Sequence, residues 1–372
     1  MSIKYFFLRL FISFCYSFTA TAVESVENKG AVYFNVDSRS YSEYSRIHSL
    51  VHSSFYSFVS DFNGNINKGD HAFTNNLLEI GARYTNLSVS YIARYDQFYA
   101  FNDDTARLFY EIKNNLPQTV GPTYKLQMKA NFISATGIKL AYGWKVNDVI
   151  LINSALSYLS ANEFFDNQSS GSTTFQDDNS FSGDGRIHHI AERDMILEHP
   201  VNPTEGRGYA VDIGIHWTIN PQWQLHIQLL DAVSAIHWRD ALDSQLNLTT
   251  ATRIFDAEDN LSVAPALSGR QVLRNYTQRL PKKLITKISY KLNNQHSIFT
   301  ETYHTDYFTH SQLGYEFMLT QHQAIALSWN IDTEAAGINY QNDYVLFGVF
   351  ADSLDYKKAH AISITMGLNI PF

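Results

Sequence analysis

The sequence predicts an all-β protein, a transmembrane antiparallel β-barrel of about 14 strands, and three observations lead to this fold class. The last strand alternates strictly between large apolar residues and small or polar ones. Several hairpins earlier in the chain repeat that alternation. The first residues have the charge and hydropathy pattern of an export signal.

The last strand, Ala359–Phe372, has a two-residue period. Successive side chains of a strand point to opposite faces, so one face of this strand is apolar and the other is small or polar. The length suits a tilted membrane strand. The large side chains occupy the even positions: His360, Ile362, Ile364, Met366, Leu368, Ile370 and Phe372.

A final amphipathic strand that closes on a C-terminal Phe resembles the sorting signal of outer-membrane barrels in Gram-negative bacteria. The resemblance implies that barrel-assembly machinery reads this strand and that the protein resides in the outer membrane. The alternative is an edge strand of a soluble periplasmic protein. The residues that would form the signal are Ile364, Met366, Leu368, Ile370 and Phe372.

A hairpin in the middle of the chain repeats the pattern. In Gly208–Ile219 the odd positions are large and apolar, and Asn220-Pro221 then marks a tight turn. Trp217 and Trp223 flank this turn, as the aromatic girdle of a membrane barrel would. A soluble β-sandwich also alternates, but it explains less naturally a strand this long with every large group on one side.

Counting such segments gives fourteen strands, an even number that places both chain ends on the periplasmic side. Short turns at 85–86, 147–148, 220–221, 293–294 and 320–321 then fall together on that side. The segment 335–351 fits least well, so 12 and 16 strands are the alternatives. The predicted strands are 30–38, 78–84, 87–95, 106–113, 124–132, 138–144, 150–158, 208–219, 222–229, 282–292, 296–305, 309–319, 322–331 and 359–372.

The N-terminal residues predict a cleaved signal peptide over 1–22. Lys4 and Arg9 precede an apolar stretch, and the small residues Ala20 and Ala22 form the cleavage motif. Residues 23–372 are then a single barrel domain with long outer loops at 39–75, 160–207 and 232–281. Without the signal, 26 Lys and Arg face 36 Asp and Glu, a net charge of −10 that argues against nucleic-acid binding.

The portion Gly206–Asp240, with its glycine-rich entry, Asp212 and Asp231, resembles outer-membrane transport barrels of the fatty-acid-transporter type and the related TraF-like proteins. This resemblance implies a porin-like or transport function. The fatty-acid transporters carry an N-terminal plug, whereas here only about eight residues, Val23 to Gly30, precede the first strand. That departure puts a plug-gated hydrophobic route in doubt.

Polar residues on the inward positions of the predicted strands are the main candidates for a site. They either orient a polar solute in an open lumen or pair with each other and fill a closed one. These lumen-facing candidates are Arg83, Arg94, Asp96, Lys125, Lys129, Asp212, His216, His226 and Gln228.

A second cluster combines imidazoles and carboxylates, which bind divalent metals. Its spacing departs from the His-Glu-x-x-His pattern, and it lies in a predicted low-complexity loop, so we expect no metal and no other cofactor. Its members are Asp184, His188, His189, Glu192, Asp194 and His199.

The favoured function is a passive channel or transport barrel for small solutes. One alternative is a non-conducting barrel whose outer loops bind a partner or a surface polymer. A second is a lipid hydrolase at the rim, where His237 and Asp240 lie near one predicted strand end and His304, Asp306 and His310 surround another. The expected partners are outer-membrane lipid, lipopolysaccharide and the assembly machinery.

The barrel prediction has a direct test. We expect the protein to fractionate with the outer membrane and to migrate differently on a gel before and after boiling, because a closed barrel resists unfolding by cold detergent. Release into the soluble periplasm would contradict it.

Overall fold

The structure is a computed structural model that describes residues 30–47, 71–176, 181–197, 199–255 and 261–372. The predicted signal peptide, with Ala20 and Ala22, lies outside the described residues. Within them, no helix has the length and hydropathy needed to cross a membrane.

The described residues form a 16-stranded antiparallel sheet and one helix, α1 (Asp103–Lys113). The strands are β1 (Gly30–Ser42), β2 (His71–Tyr84), β3 (Leu87–Phe101), β4 (Thr123–Lys145), β5 (Ile150–Phe175), β6 (Phe181–Ala191), β7 (Gly206–Thr218), β8 (Trp223–Phe255), β9 (Leu261–Gln278), β10 (Lys283–Lys291), β11 (His296–Thr305), β12 (Thr309–Thr320), β13 (Gln323–Asn330), β14 (Ala336–Asn342), β15 (Val345–Ala351) and β16 (Ala361–Pro371).

Fourteen of these strands close into a ring. β16 pairs with β1 from Ala31 opposite Pro371 to Tyr41 opposite Ala361, so the last strand joins the first. β5 pairs with β7 and β8 pairs with β10, which carries the ring past β6 and β9. The short turns and both ends of the ring lie on one side, as an even strand count requires.

The other two strands, β6 and β9, belong to a sheet that continues beyond the ring on the opposite, outer side. The outer half of β5 leaves β7 and pairs with β6, which in turn pairs with β8. β9 then pairs with the outer half of β8. The outer end of β4 pairs with β5 as far as Thr123, so the continuation has five strands, and we call it the outer extension.

The outward positions of the ring carry an exposed apolar belt. Ile80, Tyr91 and Leu140 are each about half exposed, although they are large and apolar. At the end with short turns, Trp144, Trp217 and Trp223 are also exposed, which forms an aromatic girdle. An apolar belt of this extent is stable only against hydrocarbon, so the ring is a transmembrane β-barrel.

The predicted number of ring strands, fourteen, is confirmed, but only because two strands counted in excess offset two strands that were missed. Segment 106–113 is a helix, and 124–132 and 138–144 are parts of the single strand β4. The two ring strands missing from the prediction are β14 and β15, within the segment 335–351 that fitted least well. Helix α1 begins because Asn102 caps it and Asp103 and Asp104 suit its first turn.

The second and third predicted insertions are largely strand rather than loop. β5 runs on to Phe175, and β8 spans thirty-three residues up to Phe255. Their outer halves find hydrogen-bond partners in β6 and β9, so they stay extended after leaving the ring.

One close packing contact inside the ring generates a prediction. A Cβ at Gly314 would lie 2.0 Å from Cζ of Phe299, its cross-strand partner. Nζ of Lys287 lies 4.2 Å from the centre of the Phe299 aromatic ring, so this side chain is restrained from moving away. Gly314→Ala should therefore destabilise the barrel by about 1–3 kcal/mol in guanidinium unfolding.

Gly214→Ala is the matched control, because the nearest atoms to its added Cβ lie at 3.7 Å. The packing account is wrong if both substitutions change the free energy of unfolding equally.

Candidate functional site: an ionic layer across a closed lumen

Four charged residues meet inside the ring, and we call them the ionic quartet: Arg94 and Asp96 on β3, Asp231 on β8 and Lys283 on β10. The two terminal nitrogens of Arg94 donate to the two carboxylate oxygens of Asp231, at 2.9 and 2.8 Å. Nζ of Lys283 donates to Asp231 at 2.9 Å and to Asp96 at 3.0 Å. All four residues are between 2% and 7% exposed.

A bulge in β8 places Asp231 in the quartet. The β7–β8 register shifts between Val211 and Ile213, and Asp231 has a φ of +53°, a left-handed conformation that Asp tolerates. Its backbone N–H donates to Oδ1 of Asp212 at 2.9 Å. Since the β8–β10 pairing ends at Leu230, the bulge also marks the point where β8 separates from β10, while β8 stays paired with β7 as far as Trp238.

A second charged group adjoins the quartet. Nζ of Lys139 lies 3.2 Å from Oε2 of Glu79 and 3.6 Å from Oδ2 of Asp212. The hydroxyls of Tyr33 and Ser90 each donate to Oε1 of Glu79 at 2.8 Å. Asp212 thus links the two groups into one layer of charges.

The ionic layer leaves little free space. The cavity between its side chains has a volume of about 40 Å³, enough for only a few water molecules. Removing one partner from such a buried arrangement leaves an uncompensated charge, which is far more costly than the pair itself is stabilising.

Two apolar clusters also lie on the lumen side. One is centred on Phe164, Ile236 and Trp238, and the other on Phe73, Phe98 and Phe308. The rings of Phe164 and Trp238 stack at 4.0 Å, and those of Phe73 and Phe308 at 4.2 Å. The described lumen is therefore closed by an ionic layer and by packed aromatic side chains.

The structure brings together three of the lumen-facing candidates, Arg94, Asp96 and Asp212. His216 and His226 form a separate pair with ring centroids 6.3 Å apart. Gln228 lies opposite Gly214, and Arg83 lies near the end with short turns. Lys125 and Lys129 are exposed on the outer half of β4, away from the quartet.

Four residues of the ionic layer were not among the candidates: Glu79, Lys139, Asp231 and Lys283. Glu79 and Lys139 occupy inward positions of predicted strands, so alternation alone could have identified them. Lys283 also lies in a predicted strand, whereas Asp231 lies within the bulge that interrupts the alternation.

The imidazole and carboxylate cluster does not assemble. Across the described ranges, no three His, Cys, Asp or Glu residues are placed to hold a metal ion. His188 and His189 point to opposite faces of β6, and Nε2 of His188 lies 2.9 Å from Asp243. Oε2 of Glu192 accepts from the backbone N–H of Phe164, and burial raises the pKa of this carboxyl group.

The remaining members of that cluster also have local partners. Asp184 accepts from Ser172 at 2.8 Å, and Asp194 accepts from the backbone N–H groups of Ile196 and Leu197. Nδ1 of His199 lies 3.3 Å from Asp194.

The rim histidines of the hydrolase alternative each meet a threonine across the strand pair. Nδ1 of His237 lies 3.0 Å from Oγ1 of Thr277, and Nδ1 of His304 lies 2.7 Å from Oγ1 of Thr309. Their catalytic role stays a prediction.

A large apolar cavity lies at the outer extension, on the face that continues the outward face of the ring. Its volume is about 560 Å³, within the ~300–1,000 Å³ typical of small-molecule sites. Helix α1 covers one side of it with Leu108 and Phe109, and strands β4, β5, β6 and β8 form the other. We call it the outer cavity.

No family model matches the sequence, and no curated protein does. Among solved structures, the toluene transporter TbuX of Ralstonia pickettii is 10% identical with a TM-score of 0.43, over 93% of this chain and 90% of that one. The monoaromatic hydrocarbon channel CymD is 8% identical with a TM-score of 0.43, over 93% and 89%. A Pseudomonas aeruginosa FadL homologue is 8% identical with a TM-score of 0.26, over 91% and 86%. Similarities this weak assign neither a family nor a substrate.

The ionic quartet generates a stability prediction. Arg94→Met should lower the free energy of unfolding by about 3 kcal/mol or more, because Asp96 and Asp231 would keep a buried charge with only Lys283 to balance it. Lys145→Met is the control, since Lys145 pairs with Asp148 on the surface and such pairs contribute less than about 1 kcal/mol. Equal losses in the two variants would show that the quartet is solvated rather than buried.

Proposed function

We propose that this chain is an outer-membrane transport barrel for small solutes and that the ionic quartet is its closed gate. The observation that carries the proposal is the composition of the layer across the lumen. An eight-stranded barrel is just wide enough for side chains to fill, and barrels of 16–18 strands leave an aqueous channel. A ring of fourteen needs extra filling, and here the filling includes seven charged side chains.

Charged filling favours a gate over a permanent core. Buried ion pairs contribute little net stability, since desolvation offsets most of their attraction. The same side chains are well solvated when water enters. The free energy needed to go from a dry closed state to a water-filled open state is therefore smaller for an ionic layer than for an apolar core.

The outer cavity supports the small-solute part of the proposal. It is apolar, it has the volume of a small-molecule site, and it lies at the outer end of the barrel. A solute arriving from outside would meet it before the lumen.

The proposal implies lipid as the partner of the apolar belt and lipopolysaccharide as a neighbour of the outer extension. It also implies that assembly machinery reads β16. On that strand the apolar residues Ile364, Met366, Leu368 and Ile370 share one face, and the N–H of Phe372 donates to the carbonyl of Gly30 at 2.9 Å.

A non-conducting barrel is the second candidate, and the aromatic clusters favour it. Phe98 and Phe164 have no exposed surface, and neither Trp238 nor Ile236 exceeds 1%. In this case the outer extension would bind a partner while the lumen stays packed. Absence of conductance in every folded variant, together with partner binding that requires β6 and β9, would favour this candidate.

Recording currents in planar lipid bilayers tests the gate. The natural chain should show rare stepwise openings, and Asp231→Asn should raise their frequency about tenfold, because losing one carboxylate weakens the closed state by ~1.4 kcal/mol or more. Asp148→Asn, on the surface, should leave the frequency unchanged. Folded natural chain and folded Asp231→Asn that both fail to conduct would refute the channel.

A further inference from the structure

The outer cavity contains one polar group that the apolar walls do not explain. His189 of β6 lines it and is 8% exposed. Among the described residues, Nε2 of His189 has no hydrogen-bond partner. A buried polar atom without a partner is costly, and here the protein leaves the cavity to supply that partner.

The neighbours of His189 determine which kind of group is missing. The hydroxyl of Ser169 donates to Oδ1 of Asn167 at 2.9 Å, which turns the amide nitrogen of Asn167 toward His189. That nitrogen lies 3.3 Å from Nδ1 of His189, so Nδ1 is the acceptor. In a neutral imidazole the proton is then on Nε2, which is a donor.

The imidazole of His189 is neutral at physiological pH. Burial lowers the pKa of His189 to about 4, and the nearby carboxylate of Asp194 opposes this only partly. The group facing the cavity is therefore a neutral N–H donor, which suits an uncharged acceptor.

The walls define the rest of the ligand. Leu108, Phe109, Met128, Phe165, Met195 and Leu248 surround the site with aliphatic, aromatic and thioether groups. These groups favour an apolar body, and the flexible methionines adapt to its shape. His188, the neighbour of His189, faces the other side of β6 and bonds Asp243, so it does not contribute to the cavity.

We propose that the outer cavity binds small, uncharged, largely apolar molecules that carry one oxygen acceptor, such as aryl ketones, and that His189 selects them by donating from Nε2 to that oxygen. This inference rests on the proposed transport function for its purpose, since it names the class of solute that the barrel takes up. The binding site itself stands on the cavity, the unpartnered nitrogen and the Ser169–Asn167–His189 chain.

Two probes of nearly equal shape isolate the hydrogen bond. Benzophenone has a carbonyl group where 1,1-diphenylethylene has a methylene group, so only the first accepts a hydrogen bond. Their affinities are measured for the folded full chain in lipid nanodiscs. The ratio of the two affinities is compared between variants, which cancels the partitioning of each probe into lipid.

In His189→Phe the preference for benzophenone should fall about three- to tenfold, the effect of one hydrogen bond, while 1,1-diphenylethylene binds as before. His189→Gln retains a donor and should keep part of the preference. His188→Phe makes the same change on the opposite face and should leave the ratio unaltered. Heat-modified migration on a gel confirms that each variant is folded.

An unchanged ratio in His189→Phe would overturn the proposal, as would an equal loss in His188→Phe. The result is independent of transport, because binding is measured without flux. If the ratio depends on His189 but the barrel never conducts, the transport proposal is refuted and the binding site is supported. If the barrel conducts but the ratio is unchanged in His189→Phe, the binding site is refuted and the transport proposal is supported.

Discussion

The structure depends on closing every backbone hydrogen bond of the ring, because hydrocarbon offers the peptide group no partner. The pairing of β16 with β1 performs the last closure, and the N–H of Phe372 bonds Gly30 at the very end of the chain. Once the ring is closed, strand alternation sends the apolar side chains to lipid and the polar ones inward. The charges that meet in the ionic quartet are a consequence of that alternation, sharpened by one bulge at Asp231.

The parts of the fold that meet lipid were readable from sequence, because lipid imposes strict alternation. The strands on either side of the turns near 85, 220 and 293 are present as expected. The errors fall where that constraint weakens. Ala106, Leu108, Tyr110 and Ile112 alternate like a strand, yet they form helix α1, and the cap at Asn102 was the overlooked signal. The strands of the outer extension alternate less strictly than those of the ring, so the sequence pattern did not reveal them.

The candidate site could be predicted from the amino-acid sequence only in part, for a related physical reason. Alternation places Arg94, Asp96 and Asp212 inside, but it does not say which inward residues share a level of the lumen. That depends on the register between strands far apart in sequence, and on the β8 bulge that brings Asp231 to Arg94. His189 was noticed only as a member of the imidazole and carboxylate cluster, whereas its place in an apolar cavity depends on α1 folding over the extension. Long-range register and helix packing are absent from a single sequence.

The central claim is that the ionic quartet divides the lumen, and thiol accessibility tests it most directly. Ser88 faces the lumen on the side of the short turns, opposite Arg83 on β2, below the quartet. In liposomes with the outer face exposed, a small charged thiosulfonate reagent outside should modify Ser88→Cys slowly. Adding Asp231→Asn should make the reaction much faster. Rapid modification of Ser88→Cys with the quartet intact would contradict a closed lumen and with it the gate.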